Sequence, residues 1–292
     1  MITVITAPSY LTVQDLGRTG HRAAGVPPSG VMDPRTVRTL NRRVGNAPSA
    51  AVLEWAVSGG TLLFAASTVI AVGGADVDGT AAGIPLRRDT TYTMPPGSEL
   101  HVDRLTGGRF LYVAVRGGID TPLVLGSRST NTTAGFGGVE GRRLRRGDVL
   151  PIGAARSHSG WTFDEYVRSA PRRGYDDVIV RITRGPQHHM FDSASWATLL
   201  DTVYTVSPAS DRMGYRLDGP ALHHTADAAL PSEPTCVGAV QIPNGGTPIV
   251  LMPDGPTMGG YPKMAVVVQA DLGLLAQRLP GAPVRFTLID QE

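Results

Sequence analysis

Apolar positions along this chain alternate with polar ones in short bursts and seldom recur every three or four residues, which is the period of strands and not of helices. Strands are predicted at residues 3–6, 11–13, 52–56, 61–64, 68–72, 91–94, 99–102 and 110–115, with turn residues between them. A second series follows at 178–182, 203–206, 249–251 and 265–268. Turns at Pro96-Gly97, Arg146-Gly147 and Pro280-Gly281 each lead into a strand, an arrangement that could close a barrel. Helical spacing stands out in two places. Asp33 reads as an N-cap with Pro34 at the first helical position, and Val37, Leu40, Asn41 and Val44 share one face until Gly45-Asn46 ends it. Ser193 reads as the cap of a short helix carrying Trp196, Leu199 and Leu200. The expected fold is mainly β, a meander or barrel with a few short helices.

Composition sharpens this picture. The 292 residues, 41% of them hydrophobic, suffice for one large β domain or two lobes, and 36 glycines and 23 prolines without a collagen period favour many turns. The stretch 156–177 mixes charge, aromatics, proline and glycine without periodicity, so the chain is divided into an N-terminal β-rich lobe at 1–155, a linker at 156–177 and a C-terminal lobe at 178–292. A net charge of only +2 provides no global field for nucleic acid or a membrane surface. With Cys236 as the single cysteine there can be neither an internal disulfide nor a cysteine cage, which fits a reducing compartment. The first residues show no basic region with a cleavable apolar core, and no run is long enough to span a bilayer, so a cytoplasmic protein is expected.

Candidate chemistry concentrates in Asp254-Gly255-Pro256-Thr257-Met258-Gly259-Gly260-Tyr261-Pro262-Lys263, which joins two apolar runs and cannot itself be regular structure. Lys263 is the one lysine, every other basic side chain being arginine. It is either a chosen ammonium, compact and tunable where arginine is planar and fixed, or a solvated lysine after a turn. Gly126-Ser127-Arg128-Ser129-Thr130-Asn131-Thr132-Thr133 carries more hydroxyls than a turn requires and could bind an anion. Gly73-Gly74-Ala75-Asp76 and Arg116-Gly117-Gly118-Ile119-Asp120 are expected as loops between strands, either ligand-facing or ordinary hairpin turns. The cluster Arg142, Arg143, Arg145 and Arg146 reads as a solvated hairpin end, with a docking surface as the lesser alternative. His188-His189 and His223-His224 are adjacent pairs that seldom converge on one ion, so no metal site is expected. There is no Gly-x-Ser-x-Gly elbow, no Ser-x-x-Lys and no Gly-x-x-x-x-Gly-Lys-Ser/Thr loop. Any ATP site is therefore unconventional or lies mainly on a partner.

The segment Ser207-Pro208-Ala209-Ser210-Asp211-Arg212-Met213-Gly214-Tyr215-Arg216-Leu217-Asp218-Gly219-Pro220 resembles the second-subunit family of allophanate hydrolase and urea amidolyase, also called biotin-dependent carboxyltransferase-like, which includes the C-type subunit of 5-oxoprolinase. The resemblance extends over nearly the whole chain. It takes in Val13-Gln14-Asp15-Leu16-Gly17-Arg18, Gly25-Val26-Pro27, Met32-Asp33-Pro34, Glu54, the glycine loops above, Gly135-Phe136-Gly137-Gly138, Gly185-Pro186-Gln187, Ser232-Glu233, Gln241-Ile242-Pro243 and Gly259-Gly260-Tyr261-Pro262-Lys263. Gly255-Pro256 departs from it, since many members have Arg-Gln there.

The resemblance implies a cyclophilin-like β-barrel architecture in two lobes and cytoplasmic work beside a first-subunit partner, of the kind of allophanate hydrolase subunit 1 or the B-type subunit of 5-oxoprolinase. It further implies an ATP-dependent, amide-hydrolysing complex acting on a small-molecule amide, as in conversion of 5-oxoproline to glutamate, with ATP acting at the level of the complex. The alternatives are the carboxyltransferase component of a biotin-dependent urea-carboxylase-like system and a regulatory protein antagonising a kinase inhibitor. Lys263-Met264 lacks the Met-Lys-Met hairpin of biotin domains, so no covalently attached biotin is expected on this chain.

The expected site joins Asp211, Tyr261 and Lys263 as catalytic groups with Ser127, Arg128, Ser129, Arg212, Tyr215, Gly259 and Gly260 as substrate contacts. Arg128 and Lys263 would hold an anion and Asp211 would act as general base or orienting group. For Asp211-Arg212 the alternative is an internal ion pair. For Tyr215 and Tyr261 it is core packing with a satisfied hydroxyl.

Overall fold

The computed structural model describes residues 1–155, 178–225 and 230–289. The expected linker at 156–177 lies outside them. The described residues form two compact units, one of residues 1–18 and 29–155, the other of 19–28, 178–225 and 230–289. Ten residues of the long opening loop thus fold with the second unit.

In the first unit the strands are β1 Ile2–Thr6, β2 Tyr10–Gln14, β3 Val52–Ala56, β4 Ser58–Phe64, β5 Thr68–Ala81, β6 Ile84–Pro85, β7 Thr90–Met94, β8 Ser98–Val115 and β9 Val149–Leu150, with helix α1 at Pro34–Arg43. They make one curled sheet with the path β2-β3-β8-β4-β1-β9, β5 pairing with β6, β7 and β8. Leu53, Trp55, Leu62, Phe64, Ile70, Val72, Leu100, Leu111 and Val113 fill its concave side. Helix α1 forms where expected, Asp33 accepting from the Thr36 backbone N–H at 3.1 Å, and Val37, Leu40 and Asn41 are buried.

The glycines at 73–74 do not make the expected loop. They lie inside β5, which runs through them for 14 residues against the 18-residue β8, its register shifting between Gly74 and Asp76. Glycine within a strand here bends the ribbon at a bulge instead of ending it. Residues 99–102 and 110–115, expected as two strands, are both within β8 for the same reason.

The second unit contains β10 Val178–Arg184, α2 Ser193–Asp201, β11 Tyr204–Val206, β12 Gly214–Asp218, β13 Glu233–Pro234, β14 Ala239–Gln241, β15 Ile249–Leu251, β16 Met258–Gly259, β17 Lys263–Val267, α3 Leu272–Ala276 and β18 Pro283–Leu288. Seven strands close a barrel in the order β10-β17-β14-β15-β12-β11-β18, sealed by the parallel pair β10–β18. The short ladder β13–β16 stands apart from it. Helix α2 is capped by Asp192, which accepts from the Ser195 N–H at 2.8 Å, so the expected cap at Ser193 is one residue late. Both residue types cap well, but only Asp192 occupies the extended position that precedes the first turn. The two units make the chain mainly β, with barrel architecture and few helices.

Candidate functional site

Strand β17 begins at Lys263, whose side chain is carried into the second unit and left only 4% exposed. An ammonium taken from water needs a partner there. It donates to Glu233 Oε1 in β13, and Gln187 Nε2 donates to that same oxygen at 2.7 Å. Gln187 in turn accepts from the Lys263 backbone N–H at 3.1 Å, while its own backbone N–H donates to the Lys263 carbonyl at 3.2 Å. Lysine, glutamate and glutamine are locked together from three separate segments. Glu233 remains 37% exposed at its side chain, and among the described residues its Oε2 has no hydrogen-bond partner. The arrangement presents a carboxylate oxygen to solvent with its other oxygen anchored, the geometry of an oriented base.

Around this triad, Glu233 faces Gly259 across the β13–β16 ladder and Gln241 faces Lys263 across β14–β17. A Cβ added at Gly259 would come within 2.8 Å of Gln241 Nε2 and 3.1 Å of Thr235 Cγ2, so the glycine is required by close packing. Arg22, from the segment contributed by the first half of the sequence, donates to the Thr235 carbonyl at 2.8 Å and to its hydroxyl at 3.0 Å. Tyr261 is 46% exposed, beside the glycine pair in sequence.

The other expected residues of this unit have structural work. Asp211 accepts from the backbone N–H groups of Met213 and Gly214 at 2.8 and 3.2 Å, holding a turn, so the carboxylate beside Lys263 is Glu233 and not Asp211. Arg212 pairs with buried Asp254 at 2.7 Å, an internal ion pair tying the loop before β12 to the one after β15. Tyr215 is fully buried in the barrel and donates to the Ala276 carbonyl at 2.6 Å; it packs the core and offers no surface to a substrate.

Ser127, Arg128 and Ser129 belong to the first unit, where their loop does bind an anion, and that anion is the protein's own. Both serine hydroxyls donate to Asp15 Oδ1 at 2.6 Å, the Arg128 backbone N–H donates to Oδ2 at 2.6 Å, and the Gly17 N–H adds a fourth bond at 2.8 Å. The Arg128 guanidinium pairs with Asp120 beside a hollow of about 290 Å³ lined by Gly117, Gly118 and Ile119. In the arginine cluster, Arg142 grips Asp148 through its two terminal guanidinium nitrogens at 2.7 and 3.0 Å. That contact, with the Arg145 N–H, holds the Asp148 carboxyl below the usual carboxylate range. Of the histidines, His188 Nδ1 bonds the Gly185 carbonyl and His224 Nε2 the Ile242 carbonyl. Among the described residues no group of three metal-ligating side chains converges, and no helix is long and apolar enough to cross a membrane.

Glu233 and Gln187 were within motifs quoted from the sequence, but nothing there linked them to Lys263, from which they lie 30 and 76 residues away. The lone lysine was the only signal.

Residues 24–288 match the family model described as the carboxyltransferase domain, subdomain A and B. The chain is 37% identical to the C-type subunit of 5-oxoprolinase from Escherichia coli strain K12, spanning 98% of this chain and 90% of that one. It is 34% identical to urea amidolyase of Lachancea kluyveri over 99% of its own length, but spans only 17% of that much longer protein. The crystal structure of the Kluyveromyces lactis urea carboxylase superposes with a TM-score of 0.88 at 32% identity, covering 99% of this chain and 27% of that one.

Proposed function

The chain belongs to the carboxyltransferase family of subdomains A and B, and on that premise we propose that it is one component of an ATP-dependent amide-hydrolysing complex of the 5-oxoprolinase kind. One observation carries this reading: the match to the C-type subunit of a 5-oxoprolinase runs almost end to end in both chains, whereas the match to urea amidolyase occupies a small part of a much longer protein. The proposed substrate is a cyclic amide such as 5-oxoproline. The proposed partner is a first-subunit protein, of the kind of the B-type subunit of 5-oxoprolinase, with the complex working in the cytoplasm.

The chemistry assigned to this chain centres on Glu233. Its free oxygen would accept the proton of an attacking water or of a substrate N–H, while Lys263 and Gln187 hold the other oxygen and so fix the direction of approach. Lys263, already paired, acts by orienting Glu233 and by countering charge that develops beside it. Tyr261, 46% exposed, and Gly260 follow directly in sequence on Gly259, the residue that faces Glu233. On the first unit, the partly exposed Arg128 guanidinium at its own hollow is a separate candidate anion contact.

Nucleotide use is assigned to the assembled complex. The Ser127 and Ser129 hydroxyls and the Arg128 N–H are taken up by Asp15 and are not offered to a phosphate, and no step on this chain is routed through ATP.

The test is ATP-dependent release of glutamate from 5-oxoproline by this chain alone, with a first-subunit partner, and with all components of the complex. Turnover is expected only in the full mixture. Glu233→Gln is expected to lower kcat by at least about 100-fold, the usual contribution of a general base, and Lys263→Ala to lower it comparably. Undiminished turnover in either variant removes the triad from the mechanism. No turnover in any mixture, despite a stable complex, removes the oxoprolinase reading.

A further inference from the structure

The chain has four asparagines, Asn41, Asn46, Asn131 and Asn244, and the fold puts three of them to use. Asn41 Nδ2 donates to the Ala50 carbonyl at 2.8 Å, Asn46 Nδ2 donates to the Val115 carbonyl at 2.7 Å, and Asn131 Oδ1 accepts from the Ala134 N–H at 2.8 Å. Asn244 is the exception. Its side chain is exposed and makes no hydrogen bond among the described residues. It is also the one asparagine that glycine follows.

Asn244 and Gly245 are the central pair of a turn between β14 and β15, closed by the Gly246 N–H, which donates to the Pro243 carbonyl at 2.8 Å. The peptide that joins them holds no hydrogen bond among the described residues, at either its C=O or its N–H. Neither residue has a positive φ, and a Cβ added at Gly245 would meet nothing within 4 Å. Backbone conformation and packing therefore make no demand for glycine at 245. What the glycine does supply is an uncrowded amide nitrogen beside a free side-chain carboxamide.

We propose that Asn244 is a site of covalent self-modification, cyclising onto Gly245 to a succinimide that opens to isoaspartate and aspartate. The Gly245 nitrogen attacks Asn244 Cγ and forms a C–N bond, while the carboxamide nitrogen leaves as ammonia and takes the Gly245 amide proton with it. Water then adds to one of the two ring carbonyls and breaks one ring C–N bond. Only water is consumed. The ring closes by rotation of a side chain and a peptide that hold no hydrogen bond. Either product gives the turn a negative charge, and isoaspartate also routes the main chain through Cγ, lengthening it by one carbon. Gly246 cannot shift freely to make room. The Leu222 N–H donates to its carbonyl at 2.9 Å, and a Cβ added at Gly246 would lie 2.7 Å from Ala221 Cβ. The added length therefore strains the β14–β15 hairpin, whose strand β14 also pairs with β17 at Lys263.

The experiment incubates the full chain in warm, mildly alkaline buffer, follows its circular dichroism to confirm that it stays folded, and samples it for peptide mapping by mass spectrometry. Conversion at Asn244 is read from the mass of its peptide, in which a side-chain NH2 has become OH. A protease that cuts beside aspartate but not isoaspartate separates the two products. The expected result is conversion at Asn244 with isoaspartate as the major product, while Asn41, Asn46 and Asn131 stay unchanged. Gly245→Ala is expected to slow the conversion several-fold, because a Cβ crowds the attacking nitrogen. Asn244→Gln is expected to abolish it, because the longer side chain closes a less favourable ring. Both variants should melt no lower than the parent, since Asn244 holds no bond and Gly245 adopts no conformation that alanine resists. In the converted chain the Leu222 amide is expected to lose hydrogen-exchange protection. Unchanged Asn244 in the folded parent, aspartate without isoaspartate, equal conversion at the three bonded asparagines, or a rate untouched by Gly245→Ala overturns the proposal. Full protection at Leu222 in the isoaspartate form overturns the strain on the hairpin.

Discussion

Lys263 is buried where two other side chains are placed to receive it, and this is why a lone lysine among arginines was informative. An arginine at that position would spread its donors over a plane wider than the single Glu233 oxygen that Lys263 and Gln187 share. Arginine performs the opposite task at Arg142, where the planar fork meets both oxygens of Asp148. The carboxyl of Asp148 is held below its usual range, first by that pair, against a smaller opposing effect of burial, and then by the Arg145 N–H. Because the folded state lowers this pKa, its stabilisation is fully present above the ordinary aspartate value near about 4 and is lost as pH falls through the lowered one. Urea denaturation at a series of pH values below about 4 is expected to show a steeper loss of stability for the parent than for Asp148→Asn. Parallel curves would mean that the pair contributes nothing to acid stability.

At the scale of elements, the loop at 126–130 is organised by a residue more than a hundred positions away. Asp15, at the end of β2, gathers both serine hydroxyls and two backbone N–H groups. Gly137 closes over the same loop, where a Cβ would lie 2.1 Å from the Ser129 carbonyl and φ is +76°. The hydroxyl-rich sequence was a correct signal for a bound carboxylate but carried no information on whose carboxylate it was. Replacing Asp15 by Ala leaves four donors to be satisfied anew, each costing about 1–3 kcal/mol if it stays buried and unpaired. The expected outcome is a loss of at least about 3 kcal/mol in the first unit, read by hydrogen exchange at the Arg128 and Gly17 amides. Unchanged protection there would show that the loop holds itself together without Asp15. The strands teach the same lesson. Their local pattern was visible, while the fusion of two predicted segments into β8 depended on the pairing of its middle with β5, which no local window contains.

For the molecule as a whole, the second unit is drawn from two separate stretches of the sequence. Residues 19–28 lie early in the sequence yet fold with the second unit, and Arg22 is the visible tie, reaching Thr235 213 positions away. Arg22→Ala removes charge-assisted bonds to the Thr235 carbonyl and hydroxyl, each worth about 1.5–3 kcal/mol. Cleavage within 19–28 by a protease of broad specificity is expected to quicken several-fold in the variant. Equal rates would show that the segment is held by other contacts. Thr235 also borders Gly259, so the same variant tests whether this clasp supports the ladder that covers Gln241.

The amino-acid sequence by itself determined the strand-rich class, the capped helix at Pro34–Arg43, the absence of a Met-Lys-Met hairpin around Lys263, and the stretch ending at that lysine as the place to look. These follow from local physics: side-chain period, backbone freedom, capping and the presence or absence of contiguous motifs. The tertiary structure alone decided that Glu233 and not Asp211 stands beside the lysine, that Tyr215 and Arg212 are internal, that the anion of the hydroxyl loop is Asp15, and that Gln241 is left with an unanswered donor. Each of these depends on which groups lose water together when distant strands pair, and hydrogen bonding between residues 30 to more than 100 positions apart leaves no mark on the chain between them.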